Sequence, residues 1–216
     1  VTIDAPGLPT MAHRTGTDTV RRLILDDNLL LSGGSLTTVD GLTLNSTLTL
    51  GGKPDETILC GVVSGSGSIV VSEDGGATLD GVTLKVVPIS DRGQVRVING
   101  LKLEESKISL LGGTPGADRL LEFVGTQTLG GSGEVVFSGN ASRNLVLANG
   151  GTLMLGSGIT VHGEAGIVGQ DPGAVGVDSH LVVEGKIIAD TDGQEIIVDG
   201  SSVLNHGTLG ATNGGS

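Results

Sequence analysis

The chain repeats one short pattern at nearly constant intervals. Each copy is an Asp, Asn or Cys followed by Gly and a run with strand character, at residues 40–44, 60–64, 80–84 and 99–103. The interval between successive copies is therefore close to twenty positions throughout. A period near twenty, with short apolar strands between glycines, indicates a solenoid whose turns bury hydrophobic residues by stacking on one another.

Strand signals continue along the whole sequence. Short runs rich in β-branched residues, bounded by Gly, Asn, Asp or Ser, occur at residues 22–25, 68–71, 94–98, 134–137, 145–147 and 195–198. No segment shows the 3.6-residue periodicity of a three-turn helix, and the nearest approach is the weak stretch 118–123. We therefore predict an all-β chain.

A longer repeat specifies the kind of solenoid. Residues 63–71 are echoed by residues 129–137, a separation that corresponds to three turns. Turns of about 20–22 residues favour a right-handed parallel β-helix with three short strands per turn, because a left-handed one would show a hexapeptide repeat. We predict one β-helix domain over residues 1–216, with Leu44, Leu84 and Leu103 in an internal ladder. Another strand should begin at residues 214–216, so we expect a fragment of a longer polypeptide.

Composition excludes several classes of function. Gly accounts for 39 of 216 residues, but there is no third-residue period and Pro is only 6, which excludes collagen and makes the glycines turn residues. The net charge of −12 argues against nucleic acid or an anionic membrane as partner. Neither an apolar run of ~20 residues nor a signal-peptide pattern is present. We expect no membrane insertion and, if the protein is exported, a signal that has been removed.

Residues suited to catalysis occur, but at unsuitable spacing. Asp26, Asp27 and the His-Gly pairs at 162–163 and 206–207 resemble parts of a polygalacturonase-like site. The aspartates lie about six turns from the first His-Gly pair, and no Arg follows Arg143. The lone Cys60 is expected to be a buried or turn-lining thiol. We predict that the protein is not an enzyme and has no catalytic residue.

No metal or cofactor site is predicted. The acidic region 184–199 could in principle bind calcium through its carboxylates, but a solvated acidic edge is the favoured interpretation. The Gly-Gly-x-Gly-x-Asp nonapeptide of calcium-binding β-rolls is absent. The histidines, which show no metal-ligand spacing and are interpreted as turn residues, are His13, His162, His180 and His206.

Three segments look like loops that extend from a corner of the coil: residues 53–56, 114–118 and 169–174. Function on a solenoid often lies on such loops, although insertions without a role are the simpler alternative. A polar groove beside residues 53–56 or 112–118 would indicate a glycan-binding module, even though no Trp or Tyr is available to stack on sugars. Three or more carboxylates converging on adjacent turns would instead indicate a polysaccharide-processing enzyme.

The C-terminal third resembles a known group of proteins. Its segments at residues 149–163, 184–190 and 204–215, together with the earlier Asp-Gly-Leu-Thr-Leu turns, are similar to the glycine-rich β-strand repeats of large secreted bacterial surface proteins. These include autotransporter-like passengers and the very long repeat proteins of planctomycetes and cyanobacteria. The resemblance implies a right-handed β-helix outside the cell that serves as stalk, adhesin or matrix component. It transfers no active site.

The sequence therefore predicts a non-enzymatic structural or adhesive solenoid, located extracellularly or on the cell surface. Its terminal turns would present unpaired strand edges, so we expect end-to-end stacking with neighbouring repeats or molecules. Surface glycans are the other partner considered. The alternative function is a polysaccharide-processing or glycan-binding β-helix.

Overall fold

The computed structural model describes residues 1–4, 10–112, 118–139, 144–173 and 176–216. Within these residues there are 24 strands and no helix. The strands are β1 (Thr2–Ile3), β2 (Met11–His13), β3 (Thr17–Val20), β4 (Leu23–Leu25), β5 (Leu29–Leu31), β6 (Gly34–Thr38), β7 (Leu42–Leu44), β8 (Thr47–Leu50), β9 (Thr57–Gly65), β10 (Ser68–Val71), β11 (Gly76–Lys85), β12 (Ile89–Asp91), β13 (Gln94–Leu111), β14 (Arg119–Val124), β15 (Gln127–Ser138), β16 (Asn144–Asn149), β17 (Gly151–Leu155), β18 (Gly158–Gly163), β19 (Gly166–Gly169), β20 (Ser179–Val183), β21 (Lys186–Ala189), β22 (Ile196–Asp199), β23 (Ser202–Asn205) and β24 (Thr208–Ala211).

The strands form three parallel stacks that the chain visits in the same order on every turn. Stack A holds β1, β4, β7, β17, β20 and β23, with residues 62–65 of β9, 82–85 of β11, 101–104 of β13 and 127–132 of β15. Stack B holds β2, β5, β8, β10, β12, β18, β21 and β24, with residues 106–111 of β13 and 133–138 of β15. Stack C holds β3, β6, β14, β16, β19 and β22, with residues 57–60 of β9, 76–80 of β11 and 94–98 of β13. The prediction of an all-β parallel β-helix is confirmed.

The core is an aliphatic column inside the coil. Successive side chains of a strand point to opposite faces, so from β4 to β21 the side chains that face inward are buried. One column in stack B pairs residue to residue over eight turns: Leu29, Leu48, Ile69, Ile89, Ile108, Val135, Val161 and Ile187. Each such side chain contributes about 1.5–3 kcal/mol by burial. Phe123 and Phe137 are the largest fully buried side chains.

The internal leucine ladder is confirmed in part. Leu44, Leu84 and Leu103 are all fully buried in stack A. Leu84 pairs with Leu103, whereas Leu44 pairs with Gly65, and Val63 is the residue that pairs with Leu84. The register differs because residues 39–41 connect stack C to stack A in one turn, while Gly61 alone does so in the next.

The long repeat that relates residues 63–71 to 129–137 does span three turns, but the turns are unequal. Val70 pairs with Ser90, Ser90 with Ser109, and Ser109 with Val136, so the third turn is longer than the other two. The turn length predicted from the sequence lies within the observed range. The turn from β3 to β6 is shorter than the prediction, and the turn from β19 to β22 is longer than it. Extra residues in the later turns lie between strands, so stacking continues unchanged.

The connections between stacks define three corners, which we name A–B, B–C and C–A. Corner A–B takes two or three residues in every turn from β4 onward, except where β13 and β15 pass through it as continuous strand. Corner B–C varies from two to seven residues, and the predicted loop at 53–56 lies there between β8 and β9. The predicted loop at 114–118 also falls at this corner, but residues 114–117 lie outside the described residues. The loop at 169–174 belongs to corner C–A, and residue 174 lies outside the described part of the chain.

The glycine of the repeated pattern has a specific conformational role. At corner C–A the backbone angle φ is positive for all four copies, with values of 116°, 103°, 60° and 81° at Gly41, Gly61, Gly81 and Gly100. This left-handed region is open to glycine at no steric cost. The repeated pattern in the sequence therefore corresponds to corner C–A of the coil.

Candidate functional site

Corner B–C carries a surface groove of about 580 Å³. Its lining comes from four consecutive turns: Lys53, Pro54, Asp55, Asp74, Gly75, Gly93, Gln94, Arg96, Asp118 and Arg119. The groove lies beside the predicted loop at residues 53–56 and also includes Asp118. A polar groove at this position is the feature expected of a glycan-binding module.

The loop at residues 53–56 is fixed to the coil by local contacts. The backbone N–H groups of Glu56 and Thr57 donate to the carbonyl oxygen of Lys53, at 3.0 and 2.9 Å, and close a turn. The Thr78 hydroxyl, one turn later, donates to the Pro54 carbonyl oxygen at 2.6 Å. A Cβ atom on Gly76 would lie 2.9 Å from the Pro54 ring, so a glycine at this position lets the loop pack onto the next turn.

Arg96 connects carboxylates on both sides of its own turn. Its Nε donates to Glu122 Oε2 at 3.0 Å, and its Nη1 donates to Asp55 Oδ1. Glu122 Oε1 in turn accepts a hydrogen bond from Asn149 Nδ2 at 2.8 Å. The hydrogen bond that Arg96 donates to Glu122, with a smaller contribution from the one to Asp55, raises the pKa of Arg96. Arg96 therefore stays a cation whose charge is already balanced by protein groups.

Beneath the groove, Arg119 brings a second cation into the coil. Its side chain is only 3% exposed, Nε donates to the Leu111 carbonyl oxygen at 3.0 Å, and Nη2 donates to Glu73 Oε1 at 3.3 Å. This pairing reaches from the turn of β14 to the turn of β10. Because a buried guanidinium must be paired, Glu73 is held close to the groove.

Asp91 is a buried carboxyl at the same corner. Its Oδ1 accepts a hydrogen bond from the Gly93 N–H at 2.8 Å, and within the described residues its Oδ2 has no hydrogen-bond partner. Burial raises the pKa of Asp91 to about 7, opposed by the Gly93 hydrogen bond and by the charge of Arg119. Sequence reasoning missed this residue. The available signal was a carboxylate at the inward position of the run 89–91, which pairs with Val71 and Leu110.

Three polar side chains in the groove are uncommitted. In the part of the chain that the structure describes, the Lys53 ammonium, the Asp74 carboxylate and the Gln94 amide make no side-chain hydrogen bond or ion pair. All three are exposed to solvent. They are the groups that remain available to a ligand.

The residues considered for catalysis do not come together. Asp26 lies at corner A–B and accepts a hydrogen bond from Asn45 Nδ2 at 2.7 Å. His162 is in β18, six turns along stack B from β5, and His206 lies at corner A–B between β23 and β24. Cys60 is the last stack C residue before Gly61, and partial burial raises the pKa of its thiol.

The outer face of stack B holds a histidine between two carboxylates. His162 Nε2 lies 3.1 Å from Glu134 Oε2, and His162 Nδ1 lies 2.9 Å from Asp190 Oδ2. Lys107 Nζ is 3.2 Å from the other oxygen of Glu134. The two carboxylates meet opposite edges of the ring, so they do not converge on one point. Among the described residues, no group of three or more His, Cys, Asp and Glu side chains is arranged to hold a metal ion.

The fold and the groove together define the class of protein: a parallel β-solenoid with a polar groove along one corner. Comparison with protein-family models, curated proteins and solved structures returns no match. Within the described residues, no helix is long and apolar enough to cross a membrane.

Proposed function

We propose that this chain is a non-enzymatic structural or adhesive solenoid that works outside the cell or on its surface, as part of a stalk, adhesin or matrix. The proposal is supported by the unbroken parallel pairing that links each turn to its neighbours in all three stacks. Such a coil has length and stiffness because each rung is bonded on both sides. The likeness of its repeats to those of secreted bacterial surface proteins supports the location.

The last turn of the described coil supports a second part of this proposal. All residues of β23 and β24 are exposed, including Val203, Leu204 and Leu209. The backbone of Ser216 already bonds to that of Gln194 and Ile196, at 3.0 Å each. We propose that this edge pairs with a further parallel coil, supplied by continuing chain or by a second copy.

Electron microscopy of the 216-residue chain over a concentration series tests the self-association. Nine turns rising about 4.8 Å each give a rod of roughly 45 Å. We expect longer rods as concentration rises, and Leu209→Lys should shorten them, because Leu209 stacks on the buried Ile187 and a Lys there places a charge on the open end of the core. Val39→Lys, which changes an exposed apolar residue of an inner turn, is the control. Rods of one length at every concentration would contradict stacking between copies.

A second function, glycan binding, is favoured by the groove at corner B–C. The uncommitted Lys53, Asp74 and Gln94 offer hydrogen-bond donors and acceptors beside a loop that is fixed in place. Three carboxylates line the groove, Asp55, Asp74 and Asp118, which is the number expected of a polysaccharide-processing site. Turnover is nevertheless less well supported, because Asp55 is paired with Arg96 and Asp118 with another group. A binding screen with soluble oligosaccharides tests this function.

A further inference from the structure

Both arginines of the groove are paired with carboxylates before any ligand arrives. Arg96 is paired with Asp55 and Glu122, and Arg119 is paired with Glu73. The lining residues and these partners together hold three cations and five carboxylates: Lys53, Arg96 and Arg119 against Asp55, Glu73, Asp74, Asp118 and Glu122. An anionic ligand would therefore meet net negative charge and would have to compete for paired guanidinium groups.

The uncommitted groups suit hydroxyl groups instead. Lys53 supplies donors only, the Asp74 carboxylate supplies acceptors only, and the Gln94 amide supplies both. A hydroxyl donates one hydrogen bond and accepts others, so a polyhydroxylated ligand can satisfy all three side chains at once. A ligand with a single kind of polar group would leave one of them unpaired.

The three groups are arranged along the coil axis. Lys53, Asp74 and Gln94 belong to three successive turns, which rise about 4.8 Å each along the coil axis. Between them the groove is lined by Gly75 and Gly93, which are buried and have no side chain to block a ligand. A Cβ atom on Gly93 would lie 2.2 Å from the Gly75 carbonyl oxygen, so close packing of the turns keeps this position small.

From these observations we infer that the groove binds an uncharged polysaccharide segment lying parallel to the coil axis. The inference rests on the glycan-binding function proposed above and adds the ligand class and its orientation. A chain of several sugar units reaches all three groups, whereas a monosaccharide reaches one or two. Affinity should therefore increase with the length of the oligosaccharide.

The test is calorimetric titration of the 216-residue chain with two classes of oligosaccharides of two to six units, one uncharged and one anionic. Cello-, manno- and xylo-oligosaccharides are the uncharged series, and oligogalacturonates are the anionic series. We expect binding of at least one uncharged series, an affinity that rises with length, and little change between 50 and 200 mM salt, since no ion pair is formed. Gln94→Ala and Asp74→Ala should each weaken binding about tenfold, as expected for loss of a hydrogen bond to a polar or charged group. Gln194→Ala, outside the groove, is the matched control and should leave the affinity unchanged.

Each other outcome overturns a defined part of the argument. Binding of oligogalacturonates alone would overturn the inference about ligand class and leave glycan binding in place. Uncharged binding that is insensitive to both groove variants would place the site elsewhere and overturn the assignment to corner B–C. No binding of either series, by protein whose circular dichroism shows a folded β-structure, would overturn glycan binding itself.

Discussion

Corners A–B and B–C lie on either side of the same strand stack and differ in how far the lengths of their connections vary. From β4 onward, corner A–B has two or three residues wherever it separates two strands. Corner B–C has two to seven residues and contains the loop at 53–56, the groove, and the buried side chains of Asp91 and Arg119. The length of the connection is therefore nearly constant at corner A–B and variable at corner B–C.

The contrast explains how turn length can change while strand register persists. Corner A–B repeatedly uses glycines whose Cβ atom would lie 2.0–2.3 Å from a carbonyl oxygen of the preceding turn, as at Gly67, Gly133, Gly185 and Gly207. Corner B–C has similar contacts, for example at Gly93, but several of its connections also extend into longer loops. Insertions at corner A–B would separate stacked turns. At corner B–C the chain leaves the coil and returns to it, so added residues cost mainly loop entropy, which grows slowly with length. The polar and charged side chains of the groove lie at corner B–C, the corner that tolerates insertions.

The largest predicted effect concerns Asp91 and pH. The folded state keeps this carboxyl protonated up to about pH 7, whereas the unfolded chain ionises it near 3.8. The folded state therefore binds more protons between these values, and the free energy of unfolding should fall as pH rises from about 4 to about 7. This loss of unfolding free energy should be on the order of 4 kcal/mol, and Asp91→Asn should abolish it.

Urea denaturation of wild type and Asp91→Asn from pH 4 to pH 8 measures that effect. We expect similar stability near pH 4 and a more stable variant at pH 8. Asp192→Asn, which changes an exposed carboxylate, is the control and should follow the wild-type curve. A constant difference between wild type and Asp91→Asn at all pH values would show that Asp91 titrates alike in both states.

The second prediction addresses the tight corner. A Cβ atom on Gly133 would lie 2.3 Å from the Ser106 carbonyl oxygen, so Gly133→Ala forces two turns apart. We expect a loss of about 1–3 kcal/mol, the usual cost of overpacking. Gly130→Ala is the matched control, because the nearest atom to its Cβ is the Thr128 methyl group at 3.5 Å, an ordinary contact. Equal urea midpoints for the two variants would mean that corner A–B adjusts without strain.

Much of the fold could be predicted from sequence because it follows from local repetition. The glycine of the repeated pattern requires a positive φ, and alternating Val, Leu and Ile require a buried face, so corner C–A and the stacks were both foreseeable. The register of Leu44 was not, because it depends on how many residues turn the corner at 39–41 as compared with Gly61.

The sequence predicted where a groove could lie but not the contacts within it. The cluster Lys-Pro-Asp-Glu at residues 53–56 indicated a loop, and the structure places polar groups beside it. The pairing of Arg96 with Asp55 joins residues 41 positions apart, and that of Arg119 with Glu73 joins residues 46 apart. Such contacts depend on which turns are adjacent and on the depth of each side chain, and neither is encoded in the local pattern.

A third, smaller prediction separates the two partners of Arg96. The Glu122 side chain is 18% exposed and the Asp55 side chain is 77% exposed, so water screens the second pair more strongly. A double-mutant cycle with Arg96→Met and Glu122→Gln should give a coupling of about 1 kcal/mol. The same cycle with Asp55→Asn should give roughly 0.3 kcal/mol or less. Equal couplings from urea denaturation would indicate that the loop at 53–56 shields Asp55 from water.

The smallest prediction concerns the outer face of stack B, between the two corners. The hydrogen bond from His162, followed by that from Lys107, lowers the pKa of Glu134. The stabilisation is therefore present above the unfolded value near 4.5 and is lost as pH falls through the lower folded value. Because the Glu134 side chain is 41% exposed, we expect this stabilisation to be only a few tenths of a kcal/mol.

Wild type should have a higher urea midpoint than Glu134→Gln at pH 6 and the same midpoint near pH 3, and 1 M salt should reduce the difference at pH 6. Glu184→Gln, at exposed corner A–B, provides the control for loss of one negative charge. If both variants change equally, the carboxylate acts only through the net charge of −12, and the contacts between His162 and its neighbouring turns add nothing to the stability of the coil.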